Sequence, residues 1–238
     1  MLYKLAFRKV QTVFFENEGN AAIFREKGIL TAERQTVLPG AGINLEAYPL
    51  TPYPEHEGIH FLYLGRIMRE KGMNELFDAM RRLHRQYGNQ VLLELVGFFE
   101  DEYKEQVTQL ASEGIAVFHG FQSEPQPYYA GADCVVLPSY HEGMSNVLLE
   151  AAAMGRPVIT SDIPGCREAV EDGVSGYLCR VKDADSLYEQ MCRMVETDPD
   201  RRRTMGLAGR AKMEREFEKN AVVAATAAAL FENSSVSV

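Results

Sequence analysis

From position 59 onward, apolar residues follow two alternating rhythms. Short apolar runs over 59–66, 90–97, 115–119, 134–138, 157–161 and 177–180 have the length of buried strands. Between them, apolar positions recur at three- and four-residue spacing over 73–87, 102–113 and 146–154, with shorter helical pieces near 128–130 and 166–171. Alternation of strand and helix makes successive strands parallel and covers the sheet with helices. The predicted fold class is therefore α/β, a Rossmann-like parallel sheet of about six strands.

Three more helical stretches follow at 184–196, 199–217 and 221–231, the second opened by Asp198 as cap and Pro199 in the first turn. Ahead of the sheet, 12–16 reads as a strand, 20–27 as a helix ending at Gly28, and 36–39 as a second extended piece. A loop rich in Gly and Pro then runs to Pro54. The expected organisation is 1–55 as the end of a preceding domain plus a linker, 56–197 as the sheet domain, and 198–238 as C-terminal helices. No internal repeat is visible.

With 238 residues and 46% hydrophobic content, the chain can bury one large core or two modest ones. A net charge of -9 argues against a nucleic-acid partner, which would need a basic face. The four cysteines, at 134, 166, 179 and 192, form no C-x-x-C pair and have no histidine at zinc-finger spacing. They read as reduced packing residues of a cytoplasmic protein. The opening MLYKLAFRKVQTVFF interleaves basic and apolar residues, but its apolar runs are too short for a signal core or a membrane span.

Chemistry concentrates where predicted strands end. After 134–138, a polar loop carries Glu142 and Gly143 and enters a helix with Ser145 at its N-cap. The carboxyl edge of an open α/β sheet is a binding-site address. Free amides of Gly143, Met144, Ser145 and Asn146, with the positive end of the helix dipole, suit a phosphate oxygen. Glu142 and Glu150 lie roughly 10 Å apart at helical rise, far enough to read two hydroxyl-bearing rings of one ligand. Taken alone, the two are as well explained as ordinary solvated glutamates.

A second segment, LGRIMREKG, brings Arg66, Arg69 and Lys71 to the same edge, where cations can neutralise a leaving diphosphate. A solvated loop is the ordinary reading of such a cluster. A third segment holds Pro164, Gly165 and Glu168. Gly165 is suited to close ligand approach, and Glu168 reads equally as a helix-start carboxylate. His119 precedes Gly120 and Phe121 at a further strand end and reads as a packing residue, since no partner is evident for acid–base work.

The run EGMSNVLLEAAAMGRPVITSDIPGCREAVEDGVSGYL resembles the donor domain of the family-4 retaining glycosyltransferases of GT-B fold, especially bacterial capsule and lipopolysaccharide enzymes. It carries the family's E-x7-E motif as Glu142 and Glu150, and GRIMREKG is similar to the family's G-R-x4-K-G segment. The resemblance runs from about Thr12 to the C-terminus. It implies Glu142 on the hexose, Glu150 on the ribose, and Arg66 and Lys71 on the diphosphate, whereas Arg69 lies outside the pattern.

The catalytic set so implied is Glu142, Arg66 and Lys71. The donor-binding set is Gly65, Gly143, Met144, Ser145, Asn146, Glu150, Gly120, Phe121, Pro164 and Gly165. No metal and no cofactor are expected, with a nucleoside diphosphate sugar as donor and a glycan or lipid-linked saccharide as acceptor.

VGFFEDEY departs from the family by replacing a glycine-rich turn. Length is the larger departure: the reading expects the acceptor domain to be missing and the chain to bind better than it catalyses. It also expects the last helix to cross toward that domain, self-association through uncovered apolar surface, and a cytoplasmic location at the inner face of the membrane. Two other functions stay open: a nucleotide-sugar-binding module or split subunit needing a partner, and a sugar-nucleotide epimerase of the same fold.

Overall fold

A computed structural model describes residues 2–234. The chain opens with a short helix α1 (Leu2–Ala6), a strand β1 (Val13–Phe15), helix α2 (Glu18–Glu26) and strand β2 (Gln35–Val37). β1 and β2 pair in parallel beneath a small core of Phe15, Ala21 and Leu30. A linker then leads to the main sheet.

That sheet is built from β3 (Ile59–Ile67), α3 (Met73–Tyr87), β4 (Val91–Phe99), α4 (Lys104–Ser112), β5 (Ala116–Gly120), α5 (Gln126–Gly131), β6 (Cys134–Leu137), α6 (Asn146–Ala153), β7 (Val158–Ser161) and β8 (Gly176–Cys179). Its order is β5-β4-β3-β6-β7-β8, and every pairing is parallel. Every residue of β6 and β7 is buried, as expected for central strands covered by helices on both faces. α3 buries Met73, Leu76, Phe77, Met80 and Leu83, one stripe at helical spacing, and ends at Gly88. Three more helices follow among the described residues: α7 (Ala184–Glu196), α8 (Pro199–Glu216) and α9 (Lys219–Ser234).

The chain builds outward from β3 to β5, then returns beside β3 as β6 and builds the other way. The crevice at the carboxyl ends of β3 and β6 is therefore the topological switch point, where open α/β sheets take ligands. After α8, Glu218 pairs with Ile43, Val222 is buried, and Thr226 lines one cavity with Phe14, Phe15 and Leu38. α9 thus leaves the main sheet from beside Gly42 and Ile43 and faces the β1–β2 pair across that cavity; positions 235–238 of the C-terminal segment lie outside the described residues.

Two local readings change. The helix expected at 166–171 is a single 3₁₀ turn at Arg167–Ala169, because the Glu168 carboxylate bonds back to the Gly165 amide and Val170 is already extended. The N-terminal helix α1 was not foreseen, since five residues are too few to show a period. Among the described residues no helix is long and apolar enough to cross a membrane.

Candidate functional site

The turns after β3 and β6 are locked together. Glu70 offers its carbonyl to the Tyr140 amide at 2.8 Å and to the Ser139 hydroxyl at 3.3 Å. Gly72, at φ 75°, permits this contact, since a Cβ there would stand 2.1 Å from the Pro138 carbonyl oxygen. Arg66, Met68, Glu70, Lys71, His141, Glu142 and Gly143 consequently line one open cleft of about 330 Å³. The basic segment and the acidic loop, 71 positions apart between Lys71 and Glu142, meet at the switch point.

Within the cleft, Lys71 Nζ donates to Glu142 Oε1 at 2.5 Å, and both side chains are largely shielded, at 17% and 13% exposure. Arg66 is bonded to Glu100 at 2.8 Å with both partners about half exposed. An ion pair so exposed is worth about 0–1 kcal/mol, so Arg66 can exchange Glu100 for a ligand at little cost. The shielded Lys71–Glu142 pair is the fixed element; the arginine is the movable one. Arg69 keeps an exposed side chain, and its backbone amide bonds to Asp101.

The N-terminus of α6 follows directly. Ser145 occupies the N-cap, although its hydroxyl makes no capping bond. Its amide goes to the Gly165 carbonyl at 2.9 Å, so it is spent inside the protein rather than left for a ligand. Among the described residues no hydrogen bond takes the amides of Gly143, Met144 or Asn146, which leaves these donors available. Gly165, at φ 87°, makes the arrangement possible: a Cβ there would fall 2.5 Å from the Gly143 carbonyl oxygen and 2.6 Å from that of Glu142. Pro164 and Gly165 form a wall of the loop, and Glu168 holds that wall through the Gly165 amide at 2.7 Å.

Glu150 is the single charged residue of α6 and shares the face of Asn146, the helix's other polar residue, one turn earlier. Tyr129 of α5 donates to its Oε2 at 2.7 Å, and the Tyr48 ring of the linker packs edge-on against Tyr129 at 6.3 Å between ring centres, near the same carboxylate. Burial raises the carboxyl above its ordinary value, while the two phenols pull it back. Burial, helped by the nearby Glu150 carboxylate, lifts the Tyr48 phenol to about 12, so it remains a donor.

At the other end of the edge, Gly65 and Gly97 lie opposite each other in the register of β3 and β4. Beyond them Phe98 stands out and meets Phe121, which follows Gly120, edge to face at 6.3 Å between ring centres. Both rings are solvent-facing, at 46% and 69% exposure. The departure from a glycine-rich turn thus supplies an aromatic platform, with Phe98 as a residue not singled out from sequence. His119 has the partners that sequence could not show: its Nε2 pairs with Glu94, and its ring packs on Tyr128. Tyr129, Tyr48 and Glu94 carry no local signal, because their roles come from strands and helices distant in sequence.

From the platform at β4 and β5 to the cleft at β3 and β6 is two strand spacings, or roughly 10 Å. That matches an extended nucleoside diphosphate with its base at β4 and β5 and its phosphates at the switch point. Among the described residues no group of three or more His, Cys, Asp or Glu side chains is disposed to hold a metal ion. Cys134, Cys166 and Cys179 are buried and unbridged, and burial pushes the Cys166 and Cys179 thiols up to about 12.

Residues 58–197 match the family model described as glycosyl transferases group 1. Over 209 residues the chain is 27% identical to the N,N'-diacetylbacillosaminyl-diphospho-undecaprenol alpha-1,3-N-acetylgalactosaminyltransferase of Campylobacter jejuni, covering 83% of this chain and 54% of that protein. It is 28% identical over 192 residues to the capsular polysaccharide biosynthesis glycosyltransferase CapM of Staphylococcus aureus, covering 76% of this chain and 50% of CapM. The chain spans about half the length of the curated relatives it matches.

Among solved structures, the sucrose-phosphate synthase of Thermosynechococcus elongatus superposes with a TM-score of 0.85 at 26% identity, over 100% of this chain and 62% of that one. Anabaena HepE in complex with UDP superposes at 0.84 and 23% identity, over 97% of this chain and 66% of that one. The fold is that of GT-B glycosyltransferase structures.

Proposed function

The chain belongs to the glycosyl transferases group 1 family, and we propose that it is the donor-binding half of a retaining glycosyltransferase. It takes a nucleoside diphosphate sugar and passes the sugar to a hydroxyl of a glycan or lipid-linked saccharide. One observation carries this reading: Arg66, Lys71, Glu142 and Gly143, from two separate strand ends, line a single cleft at the switch point.

The roles follow from chemistry. The open amides of Gly143, Met144 and Asn146 and the Lys71 ammonium hold the diphosphate, with Arg66 turning from Glu100 to join them. As the sugar–phosphate bond breaks, charge accumulates on the diphosphate, and these fixed donors stabilise it where it forms. Glu142, held by Lys71, accepts hydrogen bonds from sugar hydroxyls. Glu150 accepts from ribose hydroxyls, and Phe98 and Phe121 stack the base. Gly65, Gly120, Pro164 and Gly165 shape the backbone around the ligand. The reading involves no metal.

The domain division that goes with this reading is 56–197 for the donor, 1–55 for the end of an acceptor domain with its linker, and 198–238 for helices that return toward it. Transfer then needs the acceptor half as a second wall, with peripheral membrane association through that half. Leu2, Tyr3 and Leu5 of α1, exposed by 85%, 60% and 68%, offer apolar surface for self-association of the chain.

Calorimetric titration of UDP, GDP and their sugars into the protein tests the site. Binding of at least one nucleotide is expected, weakened about tenfold or more by Glu150→Ala and by Lys71→Ala, in line with the worth of hydrogen bonds to charged groups. Absence of binding by every nucleotide would remove the assignment.

A further inference from the structure

Asn17 lies just before α2 and is 2% exposed. Its side-chain oxygen accepts the Asn20 amide at 2.8 Å, an ordinary helix cap. With the oxygen so used, the amide nitrogen faces outward from α2 and donates to the Gly143 carbonyl at 2.5 Å, 126 positions away. A buried amide with each half bonded to a different part of the chain is a tie between them.

Its neighbours make the same contact. A Cβ on Gly19 would come to 2.5 Å from Pro164 Cγ, and one on Gly40 to 2.7 Å from Met144 Cγ. The β1–α2–β2 unit therefore rests on both loops that shape the start of α6.

Peptide planarity gives the tie a consequence. Across the Gly143–Met144 peptide, the carbonyl and the following N–H point in opposite directions. Holding the carbonyl toward Asn17 sends the Met144 N–H the other way, and no hydrogen bond takes it among the described residues. The next amide, that of Ser145, is held by Gly165. The loop is thus pinned at the Gly143 carbonyl and the Ser145 amide, and the Met144 amide between them is left open.

We propose that Asn17 is a positioning residue for the diphosphate: by holding the Gly143 carbonyl it aims the Met144 amide at a phosphate oxygen, so the N-terminal unit helps to build the donor site. The inference rests on the donor-site reading above. An Asn before a helix reads as a cap from sequence, and its second bond is visible only in three dimensions.

Two variants separate the tie from the cap. Asn17→Ser keeps a capping oxygen but is too short to reach Gly143, and Asn17→Asp keeps the cap while facing a carbonyl with an acceptor. The probe is whichever of UDP and GDP the wild type binds more tightly, beside its parent nucleoside. Both variants are expected to weaken the diphosphate about tenfold and to leave nucleoside binding within about twofold. In the wild type, the Met144 amide resonance should shift and gain exchange protection with the diphosphate but not with the nucleoside.

Unchanged diphosphate affinity in Asn17→Ser, or a parallel loss for diphosphate and nucleoside, would overturn the proposal. Should the variants not fold, a Met144 amide indifferent to the diphosphate overturns it in the wild type. A wild type that binds neither nucleotide would instead bring down the donor-site reading itself.

Discussion

Glu150 carries two opposed demands. Burial holds its carboxyl above the ordinary value of 4.5, so the native state binds this proton more tightly than the unfolded chain does. Stability from that proton is fully present below 4.5 and is lost as pH rises through the raised value. The ionised form, which ligand hydroxyls need as acceptor, is therefore the less stable native form. Glu150→Gln, neutral at every pH, should raise the melting temperature of the ligand-free protein near neutral pH, with the gap closing toward 4.5. The same variant should bind the nucleoside diphosphate roughly ten- to a hundredfold more weakly near neutral pH, as loss of charge-assisted bonds worth about 1.5–3 kcal/mol implies. Calorimetry across this pH range checks both signs, and a Gln variant less stable at neutral pH would contradict the account.

Residues at strand ends, such as Lys71 and Glu142, were legible in sequence because position on an α/β edge is itself a signal. The partner of each was not: that Ser145 spends its amide on Gly165, or that Tyr129 reaches Glu150, depends on loops brought together by the whole sheet.

At the scale of elements, the central strands and amphipathic helices follow from their patterns, since burial on two faces or one stripe is written in local order. Connections between them follow less well, and Arg156 shows why. It sits just before β7, is 1% exposed, and looks in sequence like a charged loop residue. In the fold its guanidinium donates to the carbonyls of Tyr129 at 2.8 Å, Ala130 at 3.2 Å and Pro52 at 2.6 Å, and to the Thr51 hydroxyl at 2.6 Å. Two of these are last-turn carbonyls of α5, and that of Tyr129 also takes the Ala132 amide at 3.2 Å. One side chain thus joins α5, which carries Tyr129, to the linker. Arg156→Met keeps comparable bulk but strands several buried acceptors, at about 1–3 kcal/mol for each, partly offset because an arginine no longer loses its hydration. A net destabilisation of about 3 kcal/mol is expected in urea unfolding, with weaker diphosphate binding because Glu150 loses its aligned tyrosine. A loss under 1 kcal/mol would mean that water replaces the guanidinium.

On the scale of the molecule, two cores of very different size share one chain. The six-stranded sheet has a continuous core that draws on residues from Ile43 to Phe217, whereas among the described residues the buried core of the β1–β2 unit is Phe15, Ala21 and Leu30. So small a core supplies little burial of its own, and the unit depends on what it touches: the loops at Gly143 and Pro164, and, through Gly42 just after it, Val222 of α9. Local opening free energies should divide accordingly. In hydrogen exchange, amides of β1, α2 and β2 are expected to exchange at least tenfold faster than those of β3, β4 and β6. Nucleoside diphosphate should then slow exchange at 13–20 as well as in the cleft, because a loop held by ligand holds Asn17 more firmly. Equal protection of the two sheets without ligand would show the N-terminal unit to be stable in its own right. Protection confined to the cleft would show that the tie at Gly143 does not transmit binding.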